Sequence, residues 1–189
     1  MHNKRNKNKN DFNNENIYIT SAKKFYSLTE SKVKEKKCFY FQNIIIDSNI
    51  MRQLMSFSLD KIDTLYFVDC NFHDLNILST INYCKNLGFV RCGLYIEDIE
   101  YLLEWIEDWK ILETLDLSGN KLGTDEREFF VWLNFNLWNK VHINKFILSE
   151  NNFSEKFEDL MEEHNNKYES FTEIIFQKIF IVYFYIYLE

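Results

Sequence analysis

"LETLDLSGNKL", Leu112–Leu122, sets Leu112, Leu115, Leu117 and Leu122 around a single asparagine, Asn120. Alternate residues of a strand share a face, so Leu115 and Leu117 point one way while Thr114, Asp116 and Ser118 point the other. Past the strand the chain must turn inward, and the turn buries backbone N–H and C=O groups that need partners. The spacing therefore predicts a short strand with one apolar side, followed by a buried turn.

The same spacing returns on both sides. Upstream stand "CKNLGFVRCGL" (Cys84–Leu94), "IDTLYFVDCNF" (Ile62–Phe72) and "KKCFYFQNIII" (Lys36–Ile46). Downstream stand "INKFILSENNF" (Ile143–Phe153) and "FTEIIFQKIFI" (Phe171–Ile181). The fourth position of each fragment is Phe39, Leu65, Leu87, Leu115, Phe146 or Ile174, at intervals of 26, 22, 28, 31 and 28 residues. One match to such a pattern is weak, but six in series identify a repeat array. The departures are Lys36, Ile44 and Ile179, all in the outermost units, where repeats that cap a stack are commonly atypical.

Over residues 36–181 the chain resembles the leucine-rich repeat family. Repeats near 28 residues with Asn or Cys in the ninth position are similar to its ribonuclease-inhibitor-like subclass. The resemblance implies an α/β solenoid of about five to six repeats, a horseshoe arc with parallel strands on the concave side and helices on the convex side. It also implies that ninth-position side chains bond to turn backbone as a ladder down the stack. Asn120 and Asn151 fit that role, and Cys70 and Cys92 occupy the same place as small buried thiols.

Segments between the strands read as helices. "IEDIEYLLEWIEDW" carries Ile99, Leu102, Leu103 and Ile106 in one stripe, and "SEKFEDLMEEH" carries Phe157, Leu160, Met161 and His164. "SNIMRQLMSF" and "HDLNILSTINYC" read as shorter helices. "TDEREFFVWLNFNLW" reads as a longer one with Phe130, Leu133 and Leu137 inward. Thr124 and Ser154 stand at the N-cap positions, ahead of acidic first turns. Trp105, Trp109, Trp132 and Trp138 are placed between outer helices. The acidic run Glu97, Glu100, Glu104, Glu107 and Asp108 reads as solvated surface, with a docking site for a basic partner as the alternative.

Four domain segments follow. Residues 1–16 are an Asn/Lys-rich tail expected to be disordered. Residues 17–35 are a poorly defined segment or cap, and 36–181 are the repeat domain. Residues 182–189 are an apolar tail, read as a truncated repeat with a membrane tail anchor as the minor alternative. The apolar run from Ile179 to Leu188 is ten residues, too short for a bilayer core about 30 Å thick. There is no secretory h-region, so the expected location is cytoplasmic, with the four cysteines as free thiols.

Net charge is -7, which argues against binding nucleic acid through phosphates. The cysteines and histidines lack ligand spacing, so no metal and no cofactor are expected. No nucleophile–base pair, phosphate loop or paired-carboxylate pattern appears, and an enzyme is not expected. The expected function is a non-catalytic protein-binding scaffold that uses the strand face. Its candidate residues are Tyr40, Tyr66, Val68 and Val90 as an apolar-aromatic patch, with Arg91 and Asp116 beside it. The competing reading is that these tyrosines and valines only favour the sheet. The alternative functions are regulation of a small GTPase, with Arg91 as the finger, or of actin assembly.

Overall fold

The computed structural model describes residues 16–33, 36–57, 62–75, 84–99, 112–137 and 143–176. Seven parallel strands form one sheet in strict chain order: β1 (Asn16–Ile19), β2 (Cys38–Gln42), β4 (Thr64–Val68), β6 (Asn86–Val90), β7 (Thr114–Asp116), β8 (Ile143–Ile147) and β9 (Phe171–Ile175). Two further short strands, β3 (Ile45–Ile46) and β5 (Asn71–Phe72), pair with each other in a second small sheet. Parallel neighbours need crossover connections. These include α1 (Ala22–Tyr26), α2 (Glu30–Val33), α3 (Ser48–Ser56), α4 (Glu126–Asn136) and α5 (Glu155–Tyr168). The chain is thus α/β, built on a parallel sheet.

The register places like template positions side by side. Phe39 pairs with Leu65, Leu65 with Leu87, Leu87 with Leu115, Leu115 with Phe146, and Phe146 with Ile174. Segment 17–35, which the sequence leaves as an ill-defined cap, contains more order than expected. Ile17 pairs with Phe39, adding a seventh strand ahead of the six fragments, and Asn16 belongs to it. Residues 1–15 and the tail 177–189 lie outside the described residues.

One face of the sheet builds the core. Phe41, Phe67 and Phe89 are fully buried and stack in a file, with ring centroids 5.2 and 5.3 Å apart. Phe25 tilts against Phe41 from the α1 side, and Phe72 closes edge-on against Phe67. At the other end Phe146 packs on Phe171, and Phe129 stacks with Trp132 and Phe153. Aromatics in place of leucine fill the same layer with larger rings, which is where the high phenylalanine content goes.

Helix details differ from the sequence reading in three places. The N-cap of α4 is Asp125, whose carboxylate accepts from Glu128 N–H at 2.9 Å; Thr124 instead donates to the Lys121 carbonyl one turn earlier. The inward stripe of α4 is Phe129, Trp132, Leu133 and Leu137, with Phe130 only half-buried. Ser154 does cap α5, accepting from Phe157 N–H, and its own N–H and hydroxyl are held by the Glu126 carboxylate of α4. Phe157 and Met161 of α5 are buried, whereas Leu160 is exposed. Ile99 is buried, but Leu102, Leu103, Ile106, Trp105, Trp109, Trp138 and the acidic residues from Glu100 on lie outside the described residues.

Five strands, β2, β4, β6, β7 and β8, end in the same backbone reversal. Asn43, Asp69, Arg91, Gly119 and Glu150, four residues past the template leucine position, all have positive φ, between 51° and 69°. A reversal recurring at one position forces even Arg91 and Glu150 into the left-handed region, which glycine and asparagine tolerate best.

Candidate functional site

The turns after the strands are joined by side chains. Asn120 Oδ1 accepts from the N–H groups of Cys92 and Leu94, at 3.0 and 3.1 Å. Its Nδ2 donates to Leu117 in its own turn and to Phe89 in the preceding one, at 2.8 and 2.6 Å. Asn151 repeats the pattern one unit on, donating to Leu148 and Leu117 and accepting from Leu122 N–H. Cys92 donates its thiol to Phe67 and Val90 carbonyls, and Cys70 donates to Val68. All four side chains sit in successive units and are buried.

A thiol offers one donor where an amide offers two donors and an acceptor. The sulfur is only a weak acceptor, and in the early turns the backbone also pairs with itself: Asn71 and His73 donate to Ile44 and Ile46 through the β3–β5 pair. Burial pushes the Cys92 thiol up to about 12, and Cys84 likewise, so both stay protonated as donors. The cysteines are free thiols.

The opposite face of the sheet carries a row formed by Tyr18, Tyr40, Tyr66, Gly88, Asp116, Ile147 and Ile175, each the register partner of the next. Tyr18 and Tyr40 stack at 5.0 Å, and Tyr40 and Tyr66 lie at 5.8 Å with their planes tilted. Tyr18 is 46% exposed and was not among the residues predicted from sequence. Tyr40 and Tyr66 are half-buried. Burial first, then Cys38 and Tyr18, pushes the Tyr40 phenol up to about 12. Gly88 makes room for the last ring. A Cβ there would lie 2.3 Å from two Tyr66 ring carbons, so Tyr66 leans directly over the Gly88 backbone.

Val68 and Val90 do not join this surface. They are 6% and 2% exposed, and the expectation of an exposed valine patch is corrected accordingly. Asp116 is buried as well, at 1% exposure. Its Oδ1 accepts from Ser118 N–H and hydroxyl at 3.0 and 2.6 Å, while Oδ2 has no hydrogen-bond partner. Burial raises its carboxyl above the usual range, against the pull of Ser118, Lys145 and Arg91. Arg91 grips Asp69 with two bonds, Nε to Oδ1 and Nη2 to Oδ2, both 2.8 Å. Around the row, Lys85 faces Glu113 at 4.0 Å and Lys145 faces Glu173 at 3.6 Å.

The described residues contain no group of three side chains placed to hold a metal, and no helix among them is long and apolar enough to cross a membrane. On the helical side, Val131 and Phe135 stand one turn apart on α4 and are exposed, Phe135 by 71%. Comparison with known proteins finds no matching family model and no matching curated protein.

Proposed function

We propose that the chain is a leucine-rich repeat protein of the ribonuclease-inhibitor-like kind, a non-catalytic scaffold that binds a protein partner on the strand face. The observation that carries the reading is the tyrosine row Tyr18–Tyr40–Tyr66, a run of side chains with large area and polar tips on the face that does not build the core. Tyrosine is enriched at binding hot spots for those two properties. The in-register fragments and the Asn/Cys turn bonds support the repeat reading. Parallel strands need about 4.8 Å each and helices roughly 10 Å, so a continued stack curves with its strands on the inside. The tyrosines then line a concavity. The cytoplasm, with thiols reduced, is the compartment that suits this reading.

The GTPase-regulating alternative is weaker. A finger arginine must reach a partner's nucleotide, and Arg91 would first have to release both bonds to Asp69. No observation favours the actin alternative.

Affinity capture from the native cell tests the scaffold reading, comparing the full chain with its Tyr18→Ala/Tyr40→Ala variant. One or more proteins held by the wild type are expected to fall at least about tenfold in recovery, the loss of one hot-spot residue being typically 2 kcal/mol or more. The variant's urea midpoint should stay close to wild type. Unchanged recovery, or recovery lost only together with folding, would count against a binding role for the face.

A further inference from the structure

We propose that Asp116 anchors a recognition site for one arginine side chain of the protein partner, its guanidinium seated between the Tyr66 ring and Asp116 Oδ2. This rests on the strand face being the binding surface and adds the chemistry of what it binds.

Asp116 is a carboxylate in the middle of that face, almost wholly buried, with Oδ1 fixed twice by Ser118 and Oδ2 unmatched. A buried polar atom without a partner is costly and rare, and points to a group that arrives from outside. The neighbouring acids differ: Asp69, Glu113 and Glu173 each already face a cation of this chain. Asp116 has Arg91 and Lys145 near enough to influence it, and these are paired with Asp69 and Glu173.

The surroundings select the cation. Gly88 stands between Tyr66 and Asp116 in the row and has no side chain, and the Tyr66 ring leans over its backbone. Lifting that ring toward Tyr40 opens a slot with an aromatic wall on one side and a carboxylate oxygen on the other. A planar, weakly hydrated guanidinium can stack on the wall while an N–H reaches the oxygen. An ammonium, compact and strongly hydrated, loses more on entering such a slot. Anions are repelled by the carboxylate, and the described residues offer a metal ion no group of ligands there. The chain's net charge of -7 favours the approach of a basic segment.

The probe is acetyl-Gly-Arg-Gly-amide, titrated into the full chain at roughly physiological ionic strength, about 0.15 M, and followed by tyrosine ring resonances. Its counterpart carries citrulline, the neutral isostere, in place of arginine. The arginine peptide should shift the Tyr66 signals and bind at least about tenfold more tightly than the citrulline peptide, the difference expected of one charge-assisted bond. Asp116→Asn should remove that preference while leaving the protein folded. Equal binding of the two peptides, no binding of either, or an unchanged preference in Asp116→Asn would overturn the assignment. The citrulline comparison is made on the wild-type chain, so it holds even if the variant misfolds. If the arginine preference is absent while Tyr18→Ala/Tyr40→Ala still abolishes capture, the arginine site falls and the scaffold stands. If capture is also unchanged, both fall.

Discussion

Asn120→Ala is expected to destabilise the chain by about 3–5 kcal/mol, read as a large drop in the urea midpoint. The magnitude follows from what the side chain satisfies. Its oxygen is the acceptor for the N–H groups of Cys92 and Leu94, and its amide reaches the Phe89 and Leu117 carbonyls across two units. Alanine leaves buried donors and acceptors behind, each costing about 1–3 kcal/mol, partly relieved by local relaxation. Asn120→Cys should fall between the two. A thiol can still donate to Phe89, as Cys92 does to Phe67, but accepts only weakly from the turn N–H groups. A loss below about 1 kcal/mol for alanine, the net worth of one ordinary hydrogen bond, would show that the turns hold without the side-chain bridge.

Phe67→Ala is expected to cost a similar amount, about 3–5 kcal/mol, as for large aromatic-to-alanine changes in cores. Phe67 is fully buried and stacked on both sides, by Phe41 and Phe89, with Phe72 edge-on. Removing it opens a cavity in the middle of the file and breaks the contact between consecutive units. Tyr18→Ala, in the same sheet but on the open face, should shift stability by only about 0.5 kcal/mol. Measuring the two together by urea unfolding separates the face that builds the core from the face that does not. Comparable losses would mean that both faces are structural.

Much of this arrangement is legible in the residues. The Leu115–Leu117 spacing, found six times, locates the strands because the residues that repeat are those that must be buried in register. The first strand escapes the template, since Ile17 and Ile19 lack both the leading apolar residue and the Asn or Cys of the turn. The alternation Ile-Tyr-Ile and its 22-residue distance to Phe39 are the signals that could have found it, and with it Tyr18.

The face was harder to read than the core. Alternation tells which side of the sheet a residue points to, but exposure depends on the height of its neighbours. Tyr66 stays half-buried and leans over Gly88, which has no side chain, whereas Val68, Val90 and Asp116 alternate to the same side and are buried. Pairing is equally invisible along the chain, for Arg91 and Asp69 are 22 residues apart and meet only through the register. The N-cap of α4 slipped by one residue because a 3-10 turn, Leu122–Asp125, precedes the helix and uses Thr124 for itself.

The most direct measurement of the central claim is amide hydrogen exchange of the chain with and without its captured partner. Protection on binding is predicted in β1, β2, β4 and β6, where the tyrosine row and Gly88 lie, with α4 and α5 unchanged. Protection centred on Val131 and Phe135 of α4, leaving those strands as they were, would contradict it.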